Sequence, residues 1–263
     1  MIYEHMTGIP RFECEEYAPK STRYCLLIPI INENKRIQEE LAAAQKHGID
    51  KLCDMIICDG GSTDGCTEAG PLISFGVNTL LTKRDLGKQG AQLRMGFWWA
   101  LQRGYEGFIT IDGNNKDSIE DVSKFITKLD EGFDFIQGSR FIPGGKAINT
   151  PLSRYLAVRL IHAPIISLTA RHWFTDTTNA FRAHSRKYIE HPRVQPFRDI
   201  FMTYELLAYL SVRASQLGMK VCEVPVTRRY PKGEKTPTKI SPIKGNWQLI
   251  KILLLNMRGK YQI

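Results

Sequence analysis

The chain is 263 residues long, room for one large domain or two small ones and enough to bury a substantial core. Apolar residues make up 43% and charged residues 24%, which excludes collagenous, disordered and disulfide-scaffold classes. Nearly all of the formal net charge of +9 lies between Arg228 and Lys260, which points to an anionic partner near the C-terminus and not to a protein that coats nucleic acid.

Residues 1–22 carry Glu4, Glu13, Glu15 and Glu16 and no apolar leader, and read as an N-terminal extension. Short, nearly continuous apolar runs then alternate with helical patterns. Tyr24 to Ile31, Asp54 to Cys58, Val77 to Leu81, Gly107 to Ile111 and Phe133 to Gly138 are predicted strands, covered on both faces. Asn34 to His47, Lys88 to Arg103 and Ser118 to Glu131 are the predicted helices between them. The alternation implies right-handed crossovers and an α/β fold with a mostly parallel central sheet flanked by helices. Further on, a helical stretch from Ser153 is interrupted by Pro164, and Asp199 to Leu217 is a predicted helix. Arg228 to Lys239 is too rich in Pro, Gly and charge for regular structure and reads as a mobile loop.

The six cysteines form no Cys-x-x-Cys pair and no zinc pattern, and most sit in apolar runs, as reduced thiols of a cytosolic protein do. No run approaches the ~20 residues needed to cross a bilayer. The six histidines form no cluster.

In an open α/β sheet, ligands sit beyond the carboxyl ends of the strands. The loops there are Pro29-Ile-Ile-Asn-Glu33, DGGSTDG (59–65) and DGNNKD (112–117). One such loop is an ordinary turn, whereas three at one end mark a site. Neither Gly-x-Gly-x-x-Gly nor a Walker pattern occurs, which argues against hydride transfer and P-loop chemistry. Asp112 and Asn114 can aim two oxygens at a hard divalent ion that bridges a diphosphate, with an Asx turn as the alternative. Lys88, in Gly87-Lys88-Gln89-Gly90 at a helix start, adds a cation and N–H donors for the same anion.

These residues, together with Gly138-Ser139-Arg140-Phe141, Asp176 to Arg182 (DTTNAFR) and Glu223-Val224-Pro225-Val226, resemble the inverting GT-A-fold glycosyltransferases of family two, in the dolichyl or polyprenyl phosphate sugar transferase branch. The resemblance runs from about residue 24 to 240 and implies a GT-A (nucleotide-diphospho-sugar transferase) fold. It divides the chain into the extension at 1–22, a catalytic domain at 23–227, a basic mobile loop at 228–242 and an amphipathic helix at 243–263. It also implies that Pro29, Asn32, Glu33, Asp59 and Gly61 line the base and ribose pocket, and that Asp112 and Asn114 hold Mg²⁺ or Mn²⁺. Arg140, Arg154, Arg182 and Arg229 or Lys232, with Lys88, would surround phosphates. Three positions depart from the family pattern: Gly60 stands where a second Asp is usual, Asn114 where the second metal Asp is usual, and Lys116 where a Gln is usual.

Loss of a nucleoside diphosphate from an anomeric carbon builds negative charge on the leaving group, which cations stabilise more in the transition state than before it. A phosphate acceptor, with a second pKa of about 6, needs no general base. A sugar hydroxyl does, and the candidates are Glu205 and Asp176, whose structural readings are a helix-surface acid and an N-cap. The expected function is transfer from a UDP- or GDP-sugar, UDP preferred, to a polyprenyl phosphate at the cytoplasmic membrane face. The alternatives are a glycan hydroxyl acceptor in surface-polysaccharide synthesis and a non-catalytic nucleotide-sugar binder. Ile243, Trp247, Ile250, Leu254 and Met257 form an apolar stripe flanked by Lys244, Lys251 and Arg258. Such a helix rests peripherally on an anionic membrane, or packs on the catalytic domain or on a second copy in a homo-oligomer. No nucleic-acid partner is expected, for want of aromatic-basic interleaving.

Overall fold

The computed structural model describes residues 2–3, 7–231 and 244–263. Its strands, in chain order, are β1 (Ile2–Tyr3), β2 (Phe12–Glu16), β3 (Tyr24–Ile30), β4 (Asp54–Asp59), β5 (Val77–Lys83), β6 (Gly107–Thr110), β7 (Phe135–Ser139), β8 (Lys146–Ile148), β9 (Arg182–Ser185), β10 (Val221–Pro225) and β11 (Thr227–Arg229). Among the described residues, all but β8 and β11 form one sheet in the order β1-β2-β5-β4-β3-β6-β9-β7-β10. β5, β4, β3 and β6 run parallel, as do β7 and β10, while β9 lies antiparallel between β6 and β7. β8 and β11 make a separate parallel pair.

Every residue of β3 is buried, because helices cover both faces of the sheet. Alternation along the strand sends Leu27 to the side of Leu93, Phe97 and Leu206, and Leu26 and Ile28 to the side of Ile37, Leu41 and Phe125. The helices Gln89–Gln102 and Glu205–Gln216 supply the first side; Lys35–Lys46 and Val122–Asp130 supply the second. Gly113, just past β6, is small for a packing reason: a Cβ there would meet Ile30 Cγ2 at 2.4 Å.

Four expectations change. Residues 12–16 are not an extension: Phe12 and Cys14 point into the core and β2 pairs with β5, while Glu13 and Glu16 meet Arg84 and Arg103. The helix expected from Asp199 begins at Glu205. Pro164 does not stop its helix, since Leu152–Ala157 passes through a π-helical turn at Val158–His162 into Ala163–Ala170 with the proline in a first turn. The presumed loop from Arg228 opens as β11, and its remainder from residue 232 to 242 lies outside the described residues.

The C-terminal helix spans Lys244–Met257. Its Ile252 and Leu253 join the core beside Leu206 and Tyr209, while Trp247 (69% exposed), Leu254 and Met257 face solvent. Ile243 lies outside the described residues. Among the described residues, no helix is long and apolar enough to cross a membrane.

His184 on β9 gives this core a pH response. Its ring lies among Phe97, Phe135 and Tyr188, and neither ring nitrogen has a hydrogen-bond partner among the described residues. Burial, helped by the charge of Arg182, lowers its pKa from 6.5 to about 3. Folding thus requires the neutral ring, so its contribution is complete above the unfolded pKa and is lost as pH falls from 6.5 toward 3. The loss approaches ~1.4 kcal/mol per pH unit within that window. His184→Phe is expected to flatten the acid limb of stability, read as urea midpoints between about pH 7 and about pH 4; parallel curves for the two proteins would refute this.

Candidate active site

A cavity of ≈ 880 Å³ opens beyond the carboxyl ends of β3, β4 and β6. Asp112, one residue past Ile111, enters it with Oδ1 accepting from Gln89 Nε2 at 2.8 Å and Oδ2 accepting from Arg228 Nη2 at 3.3 Å. Burial would raise its carboxyl, but Arg228, Lys116 and the Gln89 bond hold it below its ordinary value. Arg228 Nη1 also donates to Asp117 Oδ2 and, at 3.4 Å, to Asn179 Oδ1.

Facing these acids is a wall of cations around Tyr230. Arg154, Arg228 and Lys116 stand 5.5, 5.8 and 5.7 Å from the ring centroid, and Arg154 Nη1 donates to the Tyr230 hydroxyl at 3.3 Å. Burial would push that hydroxyl up, but Arg228, Arg154 and Arg140 bring it below its ordinary value. Arg140 lines the same cavity while held by Asp176. Concentrated, partly desolvated cations of this kind bind a polyanion.

On one flank the cavity is lined by Pro29, Ile31 and Glu33; on the other it runs between helices past Val158, His162, Leu207, Leu249, Ile252 and Leu253. One end is polar and cationic, the other apolar.

No family model matches the chain. It is 25% identical over 250 residues to the polyprenol monophosphomannose synthase of Mycolicibacterium smegmatis, covering 90% of this chain and 88% of that protein. It is 28% identical over 219 residues to the undecaprenyl-phosphate mannosyltransferase of Micrococcus luteus, covering 78% and 83%. Among solved structures, glucosyl-3-phosphoglycerate synthase from Mycobacterium tuberculosis, in complex with Mn²⁺, UDP and glucosyl-3-phosphoglycerate, superposes with a TM-score of 0.64 at 15% identity, over 90% of this chain and 80% of that one. The chain is a glycosyltransferase of the GT-A fold.

In this glycosyltransferase, the residues expected from sequence fall into two groups. Pro29, Glu33, Lys88, Asp112, Asn114, Arg140, Arg154 and Arg182 all line the cavity. Asn32, Asp59, Gly61, Asp176, Glu205 and Arg229 do not. Asp59 accepts from the N–H groups of Gly61 and Ser62 and so closes its own loop, and Asn32 Oδ1 accepts from Thr63 N at 2.8 Å and so ties the first loop to it. Asp176 is fully buried, and its oxygens accept from Arg140 Nε at 2.6 Å and Nη2 at 2.9 Å, so it faces its ion pair and does not line the cavity. Glu205 accepts from Thr203 N at 2.6 Å and Oγ1 at 2.7 Å, bracing the start of its helix. Arg182 donates from Nε, Nη1 and Nη2 to the carbonyls of Asn179, Leu207 and Thr177, which braces the cavity wall. The N–H groups of Lys88 and Gly90 donate to the carbonyls of Met202 and Thr203, so the anion gains fewer helix-end donors than the motif implied. Lys232 lies outside the described residues.

Arg228, Tyr230 and Gln89 were missed. Strand alternation explains the first: in β11, Arg228 is buried and Arg229 exposed, so the arginine expected in the site was off by one register position. The oxygen donors suit a hard divalent ion. Asp112 offers a carboxylate, and Asn114 Oδ1 is a buried oxygen with no hydrogen-bond partner among the described residues, which is what a ligand awaiting an ion looks like. Among the described residues no three His, Cys, Asp or Glu side chains converge, so an ion there would complete its shell from the diphosphate and water.

Proposed function

We propose that the chain transfers a sugar, with inversion, from a nucleoside diphosphate sugar to a polyprenyl phosphate presented at an anionic membrane surface. The carrying observation is the cavity's two-ended chemistry: cations around Tyr230 at one end, and a passage past Val158, Leu249 and Leu253 at the other. An acceptor with a charged head and an apolar tail fits both. The names of the two sequence relatives support the lipid phosphate and suggest mannose as the sugar.

The outer faces of the helices along this passage support the membrane setting. Leu160 and Trp247 are each 69% exposed, and Leu152, Leu168, Trp173 and Met257 are exposed with them. Arg159, Arg171, Lys251 and Arg258 are exposed on the same helices or at their ends, each adding about 1 kcal/mol near an anionic surface.

In the proposed reaction, Pro29, Ile31 and Glu33 receive the nucleoside. Asp112 and Asn114 hold Mg²⁺ or Mn²⁺, which when bound supplies charge stabilisation to the departing diphosphate. Arg154 and Arg140 orient the acceptor phosphate, already a dianion, so no side chain need remove a proton. A hydroxyl acceptor would need a base, and the carboxylates of Asp176 and Glu205 are committed elsewhere.

The test is a panel of UDP- and GDP-sugars with Mn²⁺, read as released nucleoside diphosphate, with and without polyprenyl phosphate in anionic vesicles. Release is expected to depend on the lipid phosphate. Release driven only by saccharide acceptors would replace this acceptor with a hydroxyl, and no release from any donor would remove the catalytic reading.

A further inference from the structure

Arg228 occupies the ground that a divalent ion would claim. Its backbone is pinned there: Ser118 N donates to Thr227 O at 2.9 Å and Arg229 N to Lys116 O at 2.7 Å, lacing β11 to the chain just beyond Asn114. Its guanidinium then spans Asp117 Oδ2 and Asp112 Oδ2. Of the two Asp112 oxygens, Oδ1 accepts from the neutral amide of Gln89, and the arginine covers the other. The side chain of Arg228 is only 7% exposed, and that of Asp117 is fully buried.

The charges explain the arrangement. Asp112 and Asp117 bring two negative charges and Arg228 and Lys116 two positive ones, so these four cancel and Arg154 leaves the polar end cationic. Without Arg228 the carboxylates would repel each other in a poorly solvated place. A divalent ion entering alone would add two uncompensated charges beside two fixed cations. An ion entering with a diphosphate carries its own compensation, and any proton on Asp117 only sharpens this contrast.

We propose that Arg228 is a tethered counter-ion that holds Asp112 until a nucleoside diphosphate arrives, so that the divalent ion binds together with the nucleotide and not before it. Arg228 then gives up Asp112 and keeps Asp117. The inference rests on the diphosphate reading given above.

The experiment follows free Mn²⁺ by its electron paramagnetic resonance signal, with wild type, Arg228→Gln and Arg228→Lys, each alone and with UDP or GDP, their folds checked by circular dichroism. Wild type and Arg228→Lys are expected to retain Mn²⁺ only with nucleotide. Arg228→Gln is expected to retain it alone, with an affinity about tenfold or more above wild type. Equal retention by wild type and Arg228→Gln without nucleotide overturns the counter-ion role and leaves the diphosphate site standing. So does wild-type retention as tight without nucleotide as with it, a result that needs no variant to fold. If wild type retains Mn²⁺ with neither nucleotide, the diphosphate site falls and the counter-ion role with it.

Discussion

Replacing Asp112 with Ala is expected to lower nucleoside diphosphate release by about 10²–10³-fold, the scale of removing one preorganised electrostatic contact to a developing charge. The melting temperature should move by less than about 5 °C, because little of the fold leans on this carboxylate. Its partners are Gln89, at the cavity edge, and Arg228, which keeps Asp117 when Asp112 is gone. The side chain is also 22% exposed, so the substitution opens onto the cavity and leaves no sealed void. Asp112→Asn separates charge from shape: it keeps an oxygen in place but loses the negative charge, and should fall between wild type and Ala. An unchanged rate in the Ala variant, with the fold intact by circular dichroism, would remove the pyrophosphate from this end of the cavity.

The sheet was legible where burial is symmetrical. β3, β4 and β5 are covered by helices on both faces, and a strand in that setting is mostly apolar along its length, with polar residues such as Asn78, Thr79 and Lys83 as exceptions in β5. β9 gave no such sign. Its four residues, Arg182 to Ser185, include a buried arginine held by carbonyls of the preceding loop (Thr177, Asn179) and of distant Leu207, and a histidine enclosed by aromatic rings. No local pattern announces a partner set assembled from distant chain. β2 did alternate, Phe12 and Cys14 in against Glu13 and Glu15 out, but its acids read as part of an N-terminal extension because their basic partners lie at Arg84 and Arg103.

The site divides along the same line. Asp112 and Asn114 were readable because a strand end and a two-residue spacing place them without help from elsewhere. Asp59 and Asn32 were recognised as a motif, yet only Asp59 acts locally, closing its own loop, while the task of Asn32, crossing to the N–H of Thr63, depends on the sheet order. Arg228 could not be chosen over Arg229 until β11 was seen to pair with β8, since a register step of one exchanges inside for outside.

Asp176→Ala is expected to destabilise the protein by about 3–5 kcal/mol, the cost of leaving a buried charge without its counter-ion. Arg140 and Asp176 have side chains 1% and 0% exposed and meet in a paired geometry, with Arg140 N also donating to Asp176 at 3.2 Å. Burial opposes the Arg140 charge, and Asp176 more than restores it; without the carboxylate, Arg140 would face the neighbouring charge of Arg228 alone. Against a total stability of roughly 5–15 kcal/mol, that loss is large, and at about 2–4 °C per kcal/mol it should lower the melting temperature by roughly 10 °C. Asp176→Asn should recover part of the loss through its remaining oxygen. The same variants separate a structural carboxylate from a general base. Far below the melting temperature, a structural role predicts activity that tracks the folded fraction and the placement of Arg140, with no change in the acid limb of the pH–rate profile. A stable Asp176→Ala protein with collapsed kcat, unchanged KM and a lost acid limb would return Asp176 to the chemistry and would require it to move from its buried pair during turnover.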